Sequence, residues 1–159
     1  MQKEAGMITK KIPVDENYNS STVNELGKII REGGLVAFPT ETVYGLGGNA
    51  LDATAAKKIY AAKGRPSDNP LIVHVADIED VPKYVKSISP LEKKLMNAFW
   101  PGPLTIVFPK NDIIPFETSG GLDTVAIRCP AHEATRSLIR AAGVPIACLL
   151  YTSPSPRDA

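Results

Sequence analysis

The chain has 159 residues, a net charge of +1 and a hydrophobic content of 43%, which are typical of one globular domain with a core of ordinary size. No apolar run approaches the ~20 residues of a membrane span, and the N-terminal segment lacks the apolar region of a signal peptide. The near-neutral charge argues neither for nor against nucleic acid, so any basic footprint must be local. Cys129 and Cys148 are too few and too far apart to indicate a zinc site, which favours a reduced cytoplasmic protein without a metal centre.

Capping residues, apolar spacing and β-branched runs predict alternating helices and strands in the first half of the chain. In chain order these are a helix that begins at residues 20–22 and ends at Gly33-Gly34, a strand over Leu35–Phe38, a helix from Asp52 through Lys63, and a strand over Leu71–Ala76. Asp52 is a favourable N-cap residue, and Gly64 followed by Pro66 ends the second helix.

The second half continues the alternation, with proline and glycine marking the boundaries. The predicted elements are a weaker helix over Glu79–Val85, a helix from Ser89-Pro90 to Trp100, strands over Leu104–Phe108 and Thr124–Cys129, a helix over His132–Ala142, and a strand that begins in Val144–Ala147. Some strands follow others through loops, so we expect an α/β (α+β) fold with a mixed rather than purely parallel sheet. We expect the Phe99-Trp100 pair to pack in the core.

The glycine-rich segment Gly45–Ala50 matches the G-x-G-x-x-A pattern of dinucleotide-binding proteins. It lies six residues beyond its strand, and no strand with a ribose-binding acid follows at the right distance, so we reject a Rossmann site. The segment from Pro39 onwards is also too polar and glycine-rich to be a core segment. A P-loop pattern is absent from the sequence, so any ATP binding must be of another kind.

Two cations, Lys63 and Arg65, lie at the predicted end of the second helix, just before a proline-containing loop. One interpretation is that both complement the helix dipole and stay solvated. The loop favours the alternative, a site for an anionic ligand. Arginine's planar guanidinium suits phosphate or carboxylate groups, while lysine acts as a mobile point charge.

His74 and Arg128 lie on predicted strands among apolar residues. Strand alternation places Arg128 on one face together with Thr124 and the small Ala126. A strand histidine among apolar residues is more often structural than catalytic. A buried arginine needs a partner, because an unpaired buried charge is strongly destabilising. That partner is either an acid of the chain, such as Glu41, or the carboxylate of a bound amino acid.

Five blocks of sequence resemble one known family in order and spacing: PTETVYGLG, KGRPSDNPL, LIVHV, WPGPLTIV and TVAIRCPAH. They resemble the YrdC-like family, whose main members are threonylcarbamoyl-AMP synthases, and the resemblance covers roughly residues 20–147. The resemblance implies a twisted mixed β-sheet flanked by helices, with an open concave site. It also implies the formation of threonylcarbamoyl-AMP and pyrophosphate from L-threonine, bicarbonate and ATP, with Mg²⁺ accompanying the nucleotide.

The resemblance further implies which residues serve each substrate. It assigns Lys63 and Arg65 to charge neutralisation in catalysis, Arg65, Asn69 and Thr124 to ATP, and Thr42, His74 and Arg128 to L-threonine. The product would serve a tRNA-modifying threonylcarbamoyl transferase complex. Two alternatives stay open: a YrdC-like RNA-binding module with weak RNA binding and no turnover, and a carbamoyltransferase-type YrdC domain.

Both ends of the chain fall outside this pattern. We interpret residues 1–19 as an N-terminal extension with a first strand, and residues 20–147 as a YrdC-like domain that is incomplete at its C-terminus. From about Cys148 the sequence departs from the family's Pro-Ser-Ala-Asn segment, which we interpret as a non-native tail. That segment helps to close both substrate sites in the family. We therefore expect the full-length protein to be a synthase, and this chain to be weak or inactive.

Overall fold

The computed structural model of the protein describes residues 20–39, 44–64 and 70–150. Within these ranges helices and strands alternate, as the sequence predicts. In chain order they are α1 (Ser20–Arg31), β1 (Val36–Pro39), β2 (Tyr44–Asn49), α2 (Ala53–Lys63), β3 (Ile72–His74), a 3-10 helix (Ile78–Lys83), α3 (Pro90–Phe99), β4 (Thr105–Pro109), α4 (Phe116–Ser119), β5 (Thr124–Arg128), α5 (Glu133–Ala142) and β6 (Ile146–Leu150).

The six described strands form one sheet in the order β1-β2-β6-β3-β5-β4. Within it β3 and β5 pair in parallel, while the other four pairings are antiparallel. This confirms the prediction of a mixed sheet flanked by helices. Because β2, β3 and β5 run in the same direction, all three begin at one edge of the sheet, which we call the entry edge. Both β3 and β5 end at the opposite edge, at His74 and Arg128.

Local capping explains where the predicted helices begin and end. The Asp52 side chain accepts hydrogen bonds from the amides of residues 54 and 55, and Gly64 ends α2 at a positive φ of 63°. At the start of α3, Ser89 and Glu92 form a reciprocal capping box, and Pro90 occupies the first helical position. Polar side chains and glycine therefore fix these boundaries as the sequence indicates.

Hydrophobic cores lie on both faces of the sheet. The larger core includes Leu71, Val73 and Val75, whereas Ala76 belongs to a second core beneath α1 and α5. The side chains around β3 therefore alternate between the two faces of the sheet. In the second core the helices α1 and α5 approach closely at Gly27. A Cβ there would lie 2.7 Å from backbone atoms of residues 141 and 142.

The glycine-rich segment that we expected to lie outside the core forms a strand inside the sheet. Strand β2 lies between β1 and β6, and Gly45, Gly47 and Gly48 are buried. The prediction is wrong because glycine in a strand can serve close approach by neighbouring groups. The space above Gly47 is filled by the side chains of Phe38 and Ile146.

Two further expectations need correction at the level of single elements. Trp100 is buried and its indole Nε1 donates to the carbonyl oxygen of Leu104 at 2.7 Å, but Phe99 is 56% exposed rather than packed in the core. The weak helix expected over residues 79–85 is a 3-10 helix that contains Pro82. Proline has no N–H to donate, and this favours a short turn over a full α-helix.

The last strand continues past Ala147, where we expected the family pattern to end. Cys148 is buried in β6 and pairs with Gly47 on one side and Ile72 on the other. Residues 148–150 therefore take part in the sheet and should not be excluded from the fold. The non-native origin of the terminal segment stays a prediction, and residues 151–159 lie outside the described ranges.

Candidate active site

One face of the sheet is half covered. Helices α1 and α5 pack against the part formed by β1, β2 and β6. On the β3–β5–β4 side the same face carries Ile72, Thr124 and Ala126, which are partly exposed, and Val107, which is 56% exposed. Among the described residues, this area is the part of that face which remains accessible.

His74 and Arg128 meet at the border of the uncovered area. They are Cα partners in the parallel β3–β5 pair, so their side chains lie on the same face. His74 is fully buried and Arg128 is only 3% exposed. The His74 Nδ1 lies 3.2 Å from the carbonyl oxygen of Ile72, and the Arg128 Nε donates to the Gly102 carbonyl oxygen at 3.4 Å. Two groups that favour polar or anionic ligands are thus held side by side on ordered strands.

An aromatic contact crosses this face of the sheet. The ring of Phe38 in β1 contacts the imidazole of His74 in β3, with centroids 6.2 Å apart and planes at 81°. Two strands lie between β1 and β3, and the Phe38 side chain spans part of that distance by lying over Gly47 of β2. The concave site that the resemblance implies stays a prediction. Sequence analysis missed Phe38, although it alternates with Val36 on the same predicted strand.

Thr124 marks the other end of the uncovered area. It begins β5 at the entry edge, and it lies about 13 Å from Arg128 along the strand at ~3.3 Å per residue. An elongated ligand on this face would thus extend from the entry edge toward His74 and Arg128.

The remaining predicted site residues are only partly visible. Thr42, Arg65 and Asn69 lie outside the described residues, and Lys63 is described only as the last residue of α2. Of the predicted set, the structure brings His74 and Arg128 together and places Thr124 on the same face. The roles of all seven stay predictions.

A cluster that sequence analysis missed joins the end of β3 to α5. The Arg140 guanidinium binds both carboxylate oxygens of Asp77, at 2.8 and 3.3 Å. Arg136 lies 3.5 Å from the same carboxylate and donates to the Ala76 carbonyl oxygen at 3.1 Å. The hydrogen bonds and charge of Arg140, together with Arg136, lower the pKa of the Asp77 carboxyl below its usual value. The spacing of two arginines four residues apart in an amphipathic helix was the available signal.

Cys129 follows Arg128 directly but does not have the properties of a nucleophile. Its thiol is buried, and burial raises its pKa to about 11, so the thiolate is scarce at neutral pH. Among the described residues, no group of three His, Cys, Asp or Glu side chains is placed to hold a metal ion. None of the helices in the described ranges combines the length and apolar character that a bilayer crossing needs.

Comparison with protein families identifies the class to which this fold and face belong. Residues 28–158 match the Sua5/YciO/YrdC family, whose description is telomere recombination. The match extends over most of the chain, and the chain therefore belongs to this family.

Individual relatives are similar over nearly the whole chain. This chain is 50% identical over 155 residues to threonylcarbamoyl-AMP synthase from Pyrococcus abyssi (96% of this chain, 46% of the relative). It is 48% identical over 161 residues to threonylcarbamoyl-AMP synthase from Bacillus subtilis, with the same two coverages. The crystal structure of P. abyssi Sua5 complexed with L-threonine is 52% identical, with a TM-score of 0.80 over 82% of this chain and 38% of that chain. The chain spans about half the length of the curated relatives it matches.

Proposed function

We propose that this domain carries the substrate site of a threonylcarbamoyl-AMP synthase. The reaction joins L-threonine, bicarbonate and ATP into threonylcarbamoyl-adenylate and releases pyrophosphate. The observation that supports it most strongly is the pairing of buried His74 and Arg128 at the border of the uncovered area. The relative from P. abyssi, solved with L-threonine, has a closely similar fold.

Arg128 suits the carboxylate of the amino acid. Its guanidinium has five N–H donors in a fixed fork that fits a carboxylate, and the strand limits where the fork can point. His74 lies beside it and offers a ring nitrogen to a polar group of the same ligand. Thr42 is the third residue proposed to bind L-threonine. The amino group would then face the open side, where bicarbonate can reach it.

The chemistry requires charge neutralisation more than a protein nucleophile. The amine attacks bicarbonate and loses water to give a carbamate, whose oxygen attacks the α-phosphorus of ATP as pyrophosphate leaves. Carbamate and triphosphate are both anionic, so cations must offset their repulsion. Lys63 and Arg65 are the proposed cations, with Asn69 and Thr124 placing the nucleotide. Mg²⁺ is proposed to arrive with the nucleotide phosphates, where it would add positive charge.

Pyrophosphate release tests the proposal. ATP and bicarbonate are supplied with and without L-threonine to the chain, to Arg65→Ala and to Arg128→Lys. Arg31→Lys at the exposed end of α1 is the matched control. Any release should depend on L-threonine; Arg65→Ala should abolish it, Arg128→Lys should reduce it by about tenfold or more through loss of the fork, and Arg31→Lys should leave it unchanged.

Other outcomes of the pyrophosphate assay would distinguish a missing segment from a wrong site assignment. A folded chain that binds ATP or L-threonine without turnover would show that the family's Pro-Ser-Ala-Asn segment is essential, in line with our expectation for this chain. A folded chain that binds neither ligand would overturn the proposed site. Salt-sensitive RNA binding without turnover would instead favour the RNA-binding module. We also propose that a tRNA-modifying threonylcarbamoyl transferase complex is the downstream partner of this protein. Its proposed location is the cytoplasm.

A further inference from the structure

Phe38 and Gly47 form a support for His74 that the substrate assignments do not include. We infer that Phe38 is a positioning residue for the His74 imidazole, and that glycine at position 47 makes the contact possible. The inference deepens the proposed function and rests on it only for the identity of the ligand.

Gly47 provides the space that the contact needs. A Cβ at this position would lie 2.7 Å from Cε1 of Phe38 and 2.6 Å from Cγ2 of Ile146, both well inside normal van der Waals contact. Ile146 is in turn the Cα partner of His74 in the β3–β6 pair. Any side chain at position 47 would therefore displace a group that borders His74, so this glycine of the PTETVYGLG motif serves packing near the site.

Packing and hydrogen bonding by neighbouring groups fix the orientation of the His74 ring. The χ2 torsion of histidine has a broad energy profile, so the surroundings must fix the plane of the ring. One contact is the 3.2 Å approach of Nδ1 to the Ile72 carbonyl oxygen, and another is the edge-to-face pair with Phe38. Phe38 is itself 3% exposed, so it has little freedom to move away. Its removal should let the imidazole turn from the plane in which a nitrogen meets the ligand.

A matched pair of substitutions separates positioning from general loosening of the core. Phe38→Leu removes the ring that touches His74. Phe108→Leu removes an equally buried ring from the core on the opposite face, where its aromatic neighbour is Trp100 at 6.4 Å. The chain has only two histidines, so the imidazole nitrogen signals in an NMR spectrum can be assigned with a His132→Gln variant. L-threonine affinity is measured by calorimetry on the same samples.

We expect Phe38→Leu to shift the His74 imidazole signals in the unliganded protein and to weaken L-threonine binding by about twofold to tenfold, the range set by the strength of an aromatic pair. Phe108→Leu should leave both unchanged. Unaltered His74 signals in Phe38→Leu, or equal effects of the two substitutions, would overturn the inference.

The test remains decisive if a variant does not fold or if the parent chain does not bind L-threonine. If Phe38→Leu does not fold, Phe38→Met keeps a long apolar side chain without a ring and replaces it. If the parent chain binds no L-threonine, the His74 signals alone decide whether Phe38 orients the ring, and ATP binding decides whether the proposed function fails with it.

Discussion

The link between the end of β3 and α5 can be tested by removing one negative charge. Asp77→Asn keeps the size and much of the hydrogen-bonding capacity of the side chain but removes the attraction to two arginines. The carboxylate is held by both arms of Arg140, at 2.8 and 3.3 Å, and more loosely by Arg136 at 3.5 Å. The side chains of Asp77 and Arg140 are 37% and 47% exposed, so solvent screens much of the interaction.

These values set the expected magnitude. An exposed ion pair contributes about 0.2–1 kcal/mol, with bidentate geometry at the upper end. A small further contribution from Arg136 brings the expected loss to about 1 kcal/mol, which corresponds to about 2–4 °C in Tm for a chain of this size. The control is Asp80→Asn, which removes a single contact to the exposed Lys83 at 3.1 Å and should cost about 0.3 kcal/mol.

Calorimetric melting at several pH values is the assay. The folded-state pKa of Asp77 is lowered, so its contribution is present above the unfolded pKa near 3.8 and is lost as the pH falls through the lower folded value. The Tm difference between the parent chain and Asp77→Asn should therefore be full at pH 7 and shrink below about pH 4. It should also shrink in 1 M salt, where the screening length is about 3 Å. Equal effects of Asp77→Asn and Asp80→Asn at pH 7, or a difference that persists at pH 2, would refute the reasoning.

Two further predictions follow from single positions. Gly27→Ala should lower the free energy of unfolding, measured in urea, by about 1–2 kcal/mol, although alanine favours helix over glycine by ~1 kcal/mol. The alanine Cβ would meet the backbone of residues 141–142, which cannot move aside without separating α1 from α5. A gain in stability would contradict this close approach. Cys129 should resist a thiol reagent at pH 8 until denaturant is added, because its pKa is raised to about 11 by burial. The contribution of this thiol to the free energy of unfolding is fully present below its unfolded pKa and is lost as the pH rises toward 11. Rapid modification of Cys129 in the native protein would contradict its burial.

The helices were predictable because their signals are local. Asp52, Ser89 and Gly64 act through hydrogen bonds and backbone angles within a few residues, so the sequence alone locates them. Strand β2 was not predictable in this way. Its glycines are explained by Phe38 and Ile146, which lie far away in sequence and meet only in the folded sheet.

In the candidate site, too, local patterns were predictable from the sequence and contacts between distant segments were not. Strand alternation predicted that Thr124 and Arg128 share a face, and the register with β3 places His74 beside Arg128. The sequence alone did not indicate that β3 and β5 are neighbours, since a 3-10 helix, α3, β4 and α4 separate them. Phe99 was predicted to be buried because it is large and apolar. It is exposed because it lies on the outer side of the end of α3.

We propose that Arg128 and His74 together bind an amino acid on the uncovered face of the sheet. The most direct measurement is a crystal structure of the chain with L-threonine, accompanied by the affinity of the Arg128→Lys variant. We expect the threonine carboxylate to lie within hydrogen-bonding distance of the Arg128 guanidinium and a His74 nitrogen to contact the same ligand. Arg128→Lys should weaken binding by about tenfold or more. L-threonine bound away from this pair, or an affinity unchanged in Arg128→Lys, would contradict it.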